Sequence, residues 1–172
     1  MSTTSFEKFY SRFFDKIEKD VDFFDYYDHT SEESMEIAQE RAKSYLNEAV
    51  DIFTLKCTPA VDFFDVDVEN DCFNFVVTSR EIEIITRIMY SIYLERDISN
   101  LKPIINSLSA TDIKSLFSPA NDRKTFESLL DWYKSKTDVL ISNYAARDRL
   151  TNKRKSIEYD NYEVKVVIWL KM

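Results

Sequence analysis

The chain has 172 residues, 44% of them hydrophobic and 15% aromatic, and it carries a formal net charge of −8. That length fits one domain with its own core, and so many large apolar side chains exclude a chain that is disordered by composition. The acidic balance disfavours a protein that wraps nucleic acid, because phosphate binding depends mainly on Lys and Arg. The absence of glycine excludes Gly-rich phosphate loops, dinucleotide fingerprints and nucleophile elbows.

The charge is unevenly distributed along the chain. Residues 1–146 hold 16 Lys and Arg against 27 Asp and Glu, a net charge of −11, whereas residues 147–172 carry +3. Cys57 and Cys72 stand apart from any CxxC pair, so we expect buried, reduced thiols of an intracellular protein. No apolar run approaches the ~20 residues that a membrane span needs, and we therefore expect a soluble protein.

The first predicted elements are an aromatic helix and a loop. Apolar residues recur at three- and four-residue spacing at Phe6, Phe9, Tyr10, Phe13 and Ile17. This pattern predicts an amphipathic helix over residues 5–19 with Ser5 as its N-cap. The paired aromatic residues of the segment 22–28 fit neither a helical nor a strand period. We expect a loop or a short extended piece that packs its rings against the body.

Two capping boxes mark the starts of the next helices. Thr30 and Glu33 predict a helix that runs to about Leu55 and ends before Pro59, since proline cannot continue a helix. Thr78 and Glu81 predict a second helix over residues 79–95. This second helix is apolar nearly all round, so we expect it to be the central helix of the core.

The segments between and after these helices are less regular. Residues 61–77 predict short extended pieces around an acidic turn, which allow a two-stranded excursion. Residues 101–108, with Pro103 near their start, predict a short helix after a break, and residues 109–117 predict another. Without glycine, the turns must use Asn, Asp and Pro, and the candidates are Asn70-Asp71, Asn100 and Asn121-Asp122.

The last helix and the C-terminal segment complete the chain. Ser118 and Pro119 predict the start of a long helix that ends near Arg149. Its predicted buried stripe is Phe126, Leu129, Leu130, Tyr133, Thr137, Leu140, Ile141 and Tyr144. A polar linker follows, and the β-branched, partly alternating residues 162–170 predict a strand. The fold class is therefore mainly α: a helical bundle over residues 1–150 with a short β excursion, and a linker with a C-terminal strand arm over residues 151–172.

The terminal strand needs a partner, and two partners are open. It either closes a small internal sheet with residues 73–77 or adds a strand to the sheet edge of another subunit or protein. Its position after a polar linker favours the second alternative. The basic residues before it, among them Arg147, Arg149 and Arg154, either contact phosphates or solvate the negative end of the last helix.

The sequence signals for catalytic and metal-binding residues are weak. Asp65, Asp67, Glu69 and Asp71 alternate like the start of a calcium loop, but position twelve of that loop is Val76 rather than the required Glu. His29 is the only histidine, and no Ser or Cys nucleophile lies in a recognisable motif around it. We therefore predict neither catalytic residues nor a metal or other cofactor, and we expect a protein that is not an enzyme.

Four pieces of the chain form an ordered pattern. They are residues 73–82, the apolar helix to Leu94, Ser118-Pro119-Ala120-Asn121, and the long helix with Ser142-Asn143-Tyr144 near its end. In this pattern, which covers about half of the chain, the sequence resembles the head–tail connector or adaptor (neck) proteins of tailed bacteriophages. The family has no sharp signature motif. The long aromatic first helix, the acidic segment 61–71 and the lack of glycine depart from the family pattern.

The resemblance implies a structural virion protein at the head–tail interface, assembled in the host cytoplasm. It implies a homo-oligomeric ring of about twelve copies beneath the portal protein, in contact with the next neck or tail-completion protein. DNA would pass through the channel without specific binding, and the C-terminal arm would reach the portal. We expect the partner-binding residues to be Tyr162, Val164, Val166, Ile168, Trp169, Arg147, Arg149 and Arg154. The alternative is a small acidic regulatory or inhibitory protein that binds a host or phage partner.

Overall fold

The described residues, 3–107 and 119–155 of a computed structural model, are mostly helical with a small antiparallel sheet. This architecture confirms the predicted mainly α fold class with a short β excursion. The elements in chain order are β1 (Thr4–Ser5), α1 (Glu7–Ile17), α2 (Val21–Phe24), α3 (Ser31–Lys56), β2 (Val66–Asp67), β3 (Cys72–Phe73), α4 (Ser79–Ser107) and α5 (Pro119–Ala145). The predicted short helix over residues 109–117 and the predicted strand over residues 162–170 lie outside the described residues.

Helix α4 is the centre of the packing. It contacts α1, α3 and α5, and Ile84, Ile85 and Met89 are completely or almost completely buried. A helix that is apolar on nearly all of its faces can be covered by neighbouring elements on every side, so the predicted central position of this helix is confirmed. Helix α3 lies along it with the small residues Ala38, Ala42 and Ala49 fully buried, and small side chains allow close packing of other elements.

Both predicted capping boxes are confirmed. The Thr30 amide donates to Glu33 Oε2 at 2.8 Å, and the Glu33 amide donates to Thr30 Oγ1 at 3.2 Å. The Thr78 amide donates to Glu81 Oε2 at 2.7 Å, and the Glu81 amide donates to Thr78 Oγ1 at 3.3 Å. These bonds satisfy amide groups that the first turn of a helix leaves without partners. They fix the start of α3 and the start of α4.

An aromatic cluster joins the N-terminal helices to the bundle. The Phe13 ring is fully buried and lies 5.8 Å from Phe23, 5.5 Å from Tyr45 and 6.0 Å from Tyr93. The predicted loop at residues 22–28 is wrong in its first part, because α2 forms one helical turn there. That turn buries Phe23 in the cluster, so packing of the paired rings outweighs the absence of a helical period.

Several predicted boundaries also need correction. Helix α4 is continuous to Ser107, so no break precedes residue 101; Pro103 removes one helical hydrogen bond without ending the helix. Asn100 and Asn121-Asp122 lie inside helices rather than turns. Helix α5 begins at Pro119 as predicted but ends at Ala145, because the chain turns back from there. The predicted Asn70-Asp71 turn is confirmed, with a φ of 48° at Asp71, and positive φ angles also occur at Asp28 and Asn152, with values of 65° and 59°.

The sheet has three strands in the order β1-β3-β2, all antiparallel, rather than the two predicted. The additional strand comes from the residues before α1, so Ser5 pairs with Cys72 and the helix starts two residues later than predicted. Ser5 still accepts a hydrogen bond from the Glu7 amide at 3.2 Å. The buried hydroxyl of Thr4 accepts a bond from the Val77 amide at 2.9 Å, which fixes β1 against the segment before α4.

We expect Phe13→Ala to lower the free energy of unfolding by about 3–5 kcal/mol, because it leaves a cavity among the rings of Phe23, Tyr45 and Tyr93. The matched control is Tyr27→Ala, since the Tyr27 side chain is 92% exposed. Urea denaturation of both variants measures the difference. Equal loss of stability in the two variants would contradict the assignment of Phe13 to the core.

Candidate functional site

A fully buried carboxylate joins the beginning of α4 to the end of α5. Glu81 is 0% exposed and lies in the first turn of α4. Its Oε2 atom accepts the Thr78 amide of the capping box. Its Oε1 atom accepts a hydrogen bond from the Tyr144 hydroxyl at 2.6 Å, near the C-terminal end of α5. One carboxylate therefore caps its own helix and binds the last turn of another.

Arg149 supplies the opposite charge. Its Nε atom donates to Glu81 Oε1 at 2.6 Å, and its Nη2 atom donates to Glu81 Oε2 at 3.0 Å. The same Nη2 atom donates to the Val76 carbonyl at 2.5 Å, and the guanidinium lies 5.7 Å from the Phe75 ring. The two-pronged contact matches the planar fork of an arginine to a carboxylate. Only 13% of the Arg149 side chain is exposed, so the pair is shielded from solvent.

The titration of these groups reflects their contacts. Burial opposes ionisation of Glu81, but the hydrogen bonds from Arg149, Tyr144 and Thr78 outweigh it and hold its pKa below the ordinary value. Burial, together with the bond to the Glu81 carboxylate, raises the pKa of the Tyr144 hydroxyl. Burial also raises the pKa of Cys57 to about 11, with a further contribution from Glu81. The Glu81 carboxylate is thus ionised and paired with the Arg149 guanidinium, whereas the Tyr144 hydroxyl and the Cys57 thiol stay neutral.

A tight hairpin follows α5 and carries the chain to the last described residue. The Lys155 amide donates to the Ala146 carbonyl at 3.0 Å, and the Asp148 amide donates to the Lys153 carbonyl at 2.8 Å. Asp148 Oδ1 accepts the Thr151 amide at 2.7 Å inside the turn. Arg149 lies within this hairpin, so its bonds to Glu81 fix the hairpin to the body. We call residues 146–155, together with Glu81 and Tyr144, the C-terminal anchor.

The predicted partner-binding residues fall into three groups. Arg149 is part of the anchor and is directed toward Glu81. Arg147 and Arg154 face each other across an isolated β-bridge in the hairpin, and Arg154 is exposed. Tyr162, Val164, Val166, Ile168 and Trp169 lie outside the described residues. Glu81 was not identified from the sequence as the partner of Arg149. The capping box already accounts for a glutamate at position 81, and Arg149 lies 68 positions away in the sequence.

An apolar groove lies between α3 and the sheet, with a cavity of about 270 Å³. Leu46 and Val50 of α3 line one side, and β2 and the residues around it line the other. Phe64 is 62% exposed and Val68 is 72% exposed in this lining. Asp51 and the Lys43–Asp71 ion pair, with 2.5 Å between its charged atoms, also line the groove.

A polar pit shares Lys43 and Asp71 with the groove. It is also lined by Tyr10, Glu36 and Glu40, and its volume is about 300 Å³. The Tyr10 hydroxyl is buried and has no hydrogen-bond partner among the described residues. Burial and the charge of Asp71 raise the pKa of this hydroxyl, so it stays neutral. Carboxylates outnumber cations in the pit, which therefore favours a cationic group.

A second apolar surface lies on the outer face of α5. Leu129, Trp132 and Val139 are each more than half exposed, and Lys136 lies 5.9 Å from the Trp132 ring. Leu129 was predicted to be part of the buried stripe and is not; among the stripe residues whose side chains the structure describes, which do not include Phe126, the buried ones are Leu130, Thr137, Ile141 and Tyr144. Tyr133 and Leu140 are partly buried.

The remaining candidates are explained by local contacts. Asp67 accepts the Glu69 and Asn70 amides, and Asp65 accepts the Asn74 side-chain amide at 2.8 Å, so the acidic turn is held by its own hydrogen bonds. His29 is exposed in a loop beside the Tyr27 carbonyl. Cys57 and Cys72 are free and buried. Within residues 3–107 and 119–155, no three His, Cys, Asp or Glu side chains converge as metal ligands.

Comparisons with protein families, curated proteins and solved structures gave no match to this chain. In the part of the chain that the structure describes, no helix combines the length and apolarity needed to cross a membrane.

We expect Arg149→Met to lower the free energy of unfolding by about 3–5 kcal/mol, since it leaves the buried Glu81 carboxylate without its counter-charge. Arg154→Met removes an exposed cation from the same hairpin and serves as the control, with an expected change below about 0.5 kcal/mol. Chemical denaturation measures both. Adding Glu81→Gln to Arg149→Met should recover part of the loss, because a neutral amide costs less to bury than a charge.

We expect the stability difference between the wild type and Glu81→Gln to depend on pH. The folded protein lowers the pKa of Glu81 below its ordinary value of 4.5. The ionised carboxylate therefore contributes its full stabilisation above pH 4.5, and the contribution is lost as the pH falls through the folded-state pKa. Denaturation at pH 7 and at a series of values below 4.5 tests this. A difference that stays constant or grows toward low pH would refute the assignment.

Proposed function

We propose that this protein is a structural adaptor of a phage neck, a subunit of a ring beneath the portal that extends the DNA channel. The resemblance in residues 70–150 suggests the family. The observation that supports it in the structure is the C-terminal anchor. The anchor holds the chain at Lys155 on a fixed point of the body, just before a segment whose sequence favours a strand. A rigid exit of this kind suits an arm that must join a neighbouring subunit.

The charge distribution is consistent with this role. Residues 1–146 carry a net charge of −11, so most of the body repels the phosphate backbone. A channel wall of this sign would let DNA pass without being retained. The +3 charge of residues 147–172 has the opposite sign, which favours contact between the tail of one copy and the body of another.

The apolar surfaces also favour an assembled state. The outer face of α5 exposes Leu129, Trp132 and Val139, and large aromatic residues of this kind are enriched where proteins contact each other. In the proposed ring, copies contact one another through such helix faces, with the portal above and the next neck protein below.

We expect electron microscopy of the protein, purified with the large complex from which it comes, to show a ring with rotational symmetry stacked on the portal. Trp132→Glu should prevent ring formation, because it places a charge at the centre of an apolar face. Tyr27→Glu changes another exposed aromatic residue and should leave the ring intact. Circular dichroism of both variants controls for unfolding.

A protein that stays monomeric or dimeric in every native complex would contradict the adaptor. That result would favour the alternative, a small acidic protein that binds a host or phage factor. The same purification then identifies the factor, because an inhibitor of this kind copurifies with one partner in a fixed ratio.

A further inference from the structure

We infer that the apolar groove between α3 and β2 accepts residues 162–170 of a neighbouring copy, which lie along β2 as an added strand. This inference rests on the proposed function, since it names the contact that joins the copies of the ring. The groove supplies three matching features: an open sheet edge, an apolar floor and acidic groups at its rim. The C-terminal segment supplies the complement of each.

The sheet edge is the first feature. β3 is the central strand, so β2 has a neighbour on one side only among the described residues. The outer side of an edge strand offers backbone groups that pair with an added strand. β2 is short, with two residues, so the added strand needs side-chain contacts as well as backbone bonds.

The apolar floor provides those contacts. In an extended segment, alternate side chains point to opposite faces. One face of the C-terminal segment consists only of apolar residues, namely Tyr162, Val164, Val166, Ile168 and Leu170. In the groove, the buried side chains of Leu46 and Val50 from α3 form the bottom, and Phe64 and Val68 supply the exposed apolar surface. A cavity of about 270 Å³ is below the usual size of a small-molecule site and suits a few aliphatic side chains of a strand.

Charge is the third feature. Asp51 and Asp71 line the groove, and the adjoining pit adds Glu36 and Glu40. The other face of the segment carries Glu163 and Lys165, whose charges offset each other, and Lys171 follows directly after the segment. The Lys171 ammonium is the cation that can reach the pit, where it can donate to these carboxylates and to the unpartnered oxygen of Tyr10. Strand addition would therefore place the cation at the end of the tail beside anions of the body.

The first test compares substitutions on the two faces of the segment in the full-length protein. Val166→Asp places a charge on the apolar face, and Val167→Asp, one residue away, places it on the opposite face. We expect Val166→Asp to weaken association by about tenfold or more and Val167→Asp to leave it near the wild-type value. Sedimentation velocity over a concentration series measures association. Equal effects of the two substitutions would overturn the proposed register.

The second test changes the groove. Phe64→Arg and Val68→Arg alter exposed residues of the groove lining and should weaken association as Val166→Asp does. Leu55→Arg is the control, because Leu55 is 86% exposed and does not line the groove. Groove variants that associate like the wild type would overturn the inference. If rings on the portal persist in those variants, the proposed function stands while this inference fails.

The third test separates a neighbouring copy from the same chain. Phe64→Arg has an intact segment and Val166→Asp has an intact groove, so a mixture of the two can form one contact per pair. We expect the mixture to form heterodimers, detected with one variant fluorescently labelled. A mixture that stays monomeric would mean that the segment binds its own chain, and would overturn the inference.

Where the wild type assembles only on the portal, the same comparisons are made by electron microscopy of portal-bound rings. The absence of a ring in every state would contradict both the proposed function and this inference.

Discussion

The buried pair of Glu81 and Arg149 is the contact on which the arrangement of the C-terminal half depends. A fully buried carboxylate is costly unless its charge is paired and its oxygen atoms accept hydrogen bonds. Here the Glu81 carboxylate accepts four hydrogen bonds, one from the Thr78 amide, one from the Tyr144 hydroxyl and two from the Arg149 guanidinium. The guanidinium also donates to the Val76 carbonyl. Each donor comes from a different part of the chain. The pair therefore ties the start of α4, the end of α5 and the hairpin to one point.

This contact links the sheet to the C-terminal exit. Arg149 contacts Phe75 and Val76, which lie two and three residues after β3, and the Phe75 ring lies 5.6 Å from the Phe73 ring of β3. Phe73 also lines the apolar groove. The C-terminal anchor and the apolar groove are thus connected by the contact of Arg149 with Phe75 and of Phe75 with Phe73. In the proposed ring, this connection would set the point at which each copy's C-terminal segment leaves the body relative to the groove that would receive a neighbour's segment.

Much of the fold follows from local sequence signals. The capping boxes, the all-round apolar α4 and the proline that starts α5 were each predicted, because the cause of each lies within a few neighbouring residues. The helical turn α2 and the strand β1 were missed, since Phe23 becomes helical in order to pack against Phe13, and Ser5 becomes extended in order to pair with Cys72. Those partners are distant in sequence. The Glu81–Arg149 pair was missed for the same reason.

Helix α5 shows a further limit of periodicity. Leu129 and Leu130 are equally apolar, yet Leu130 is buried against the bundle and Leu129 is 52% exposed. A helical period identifies apolar positions but not the neighbour that covers them, because a core and an interface select similar residues. In a protein that assembles, the apolar stripe of a helix can therefore include more residues than the core of one copy buries. The same ambiguity applies to Phe64 and Val68, two exposed apolar side chains that the proposed contact with a second copy would cover.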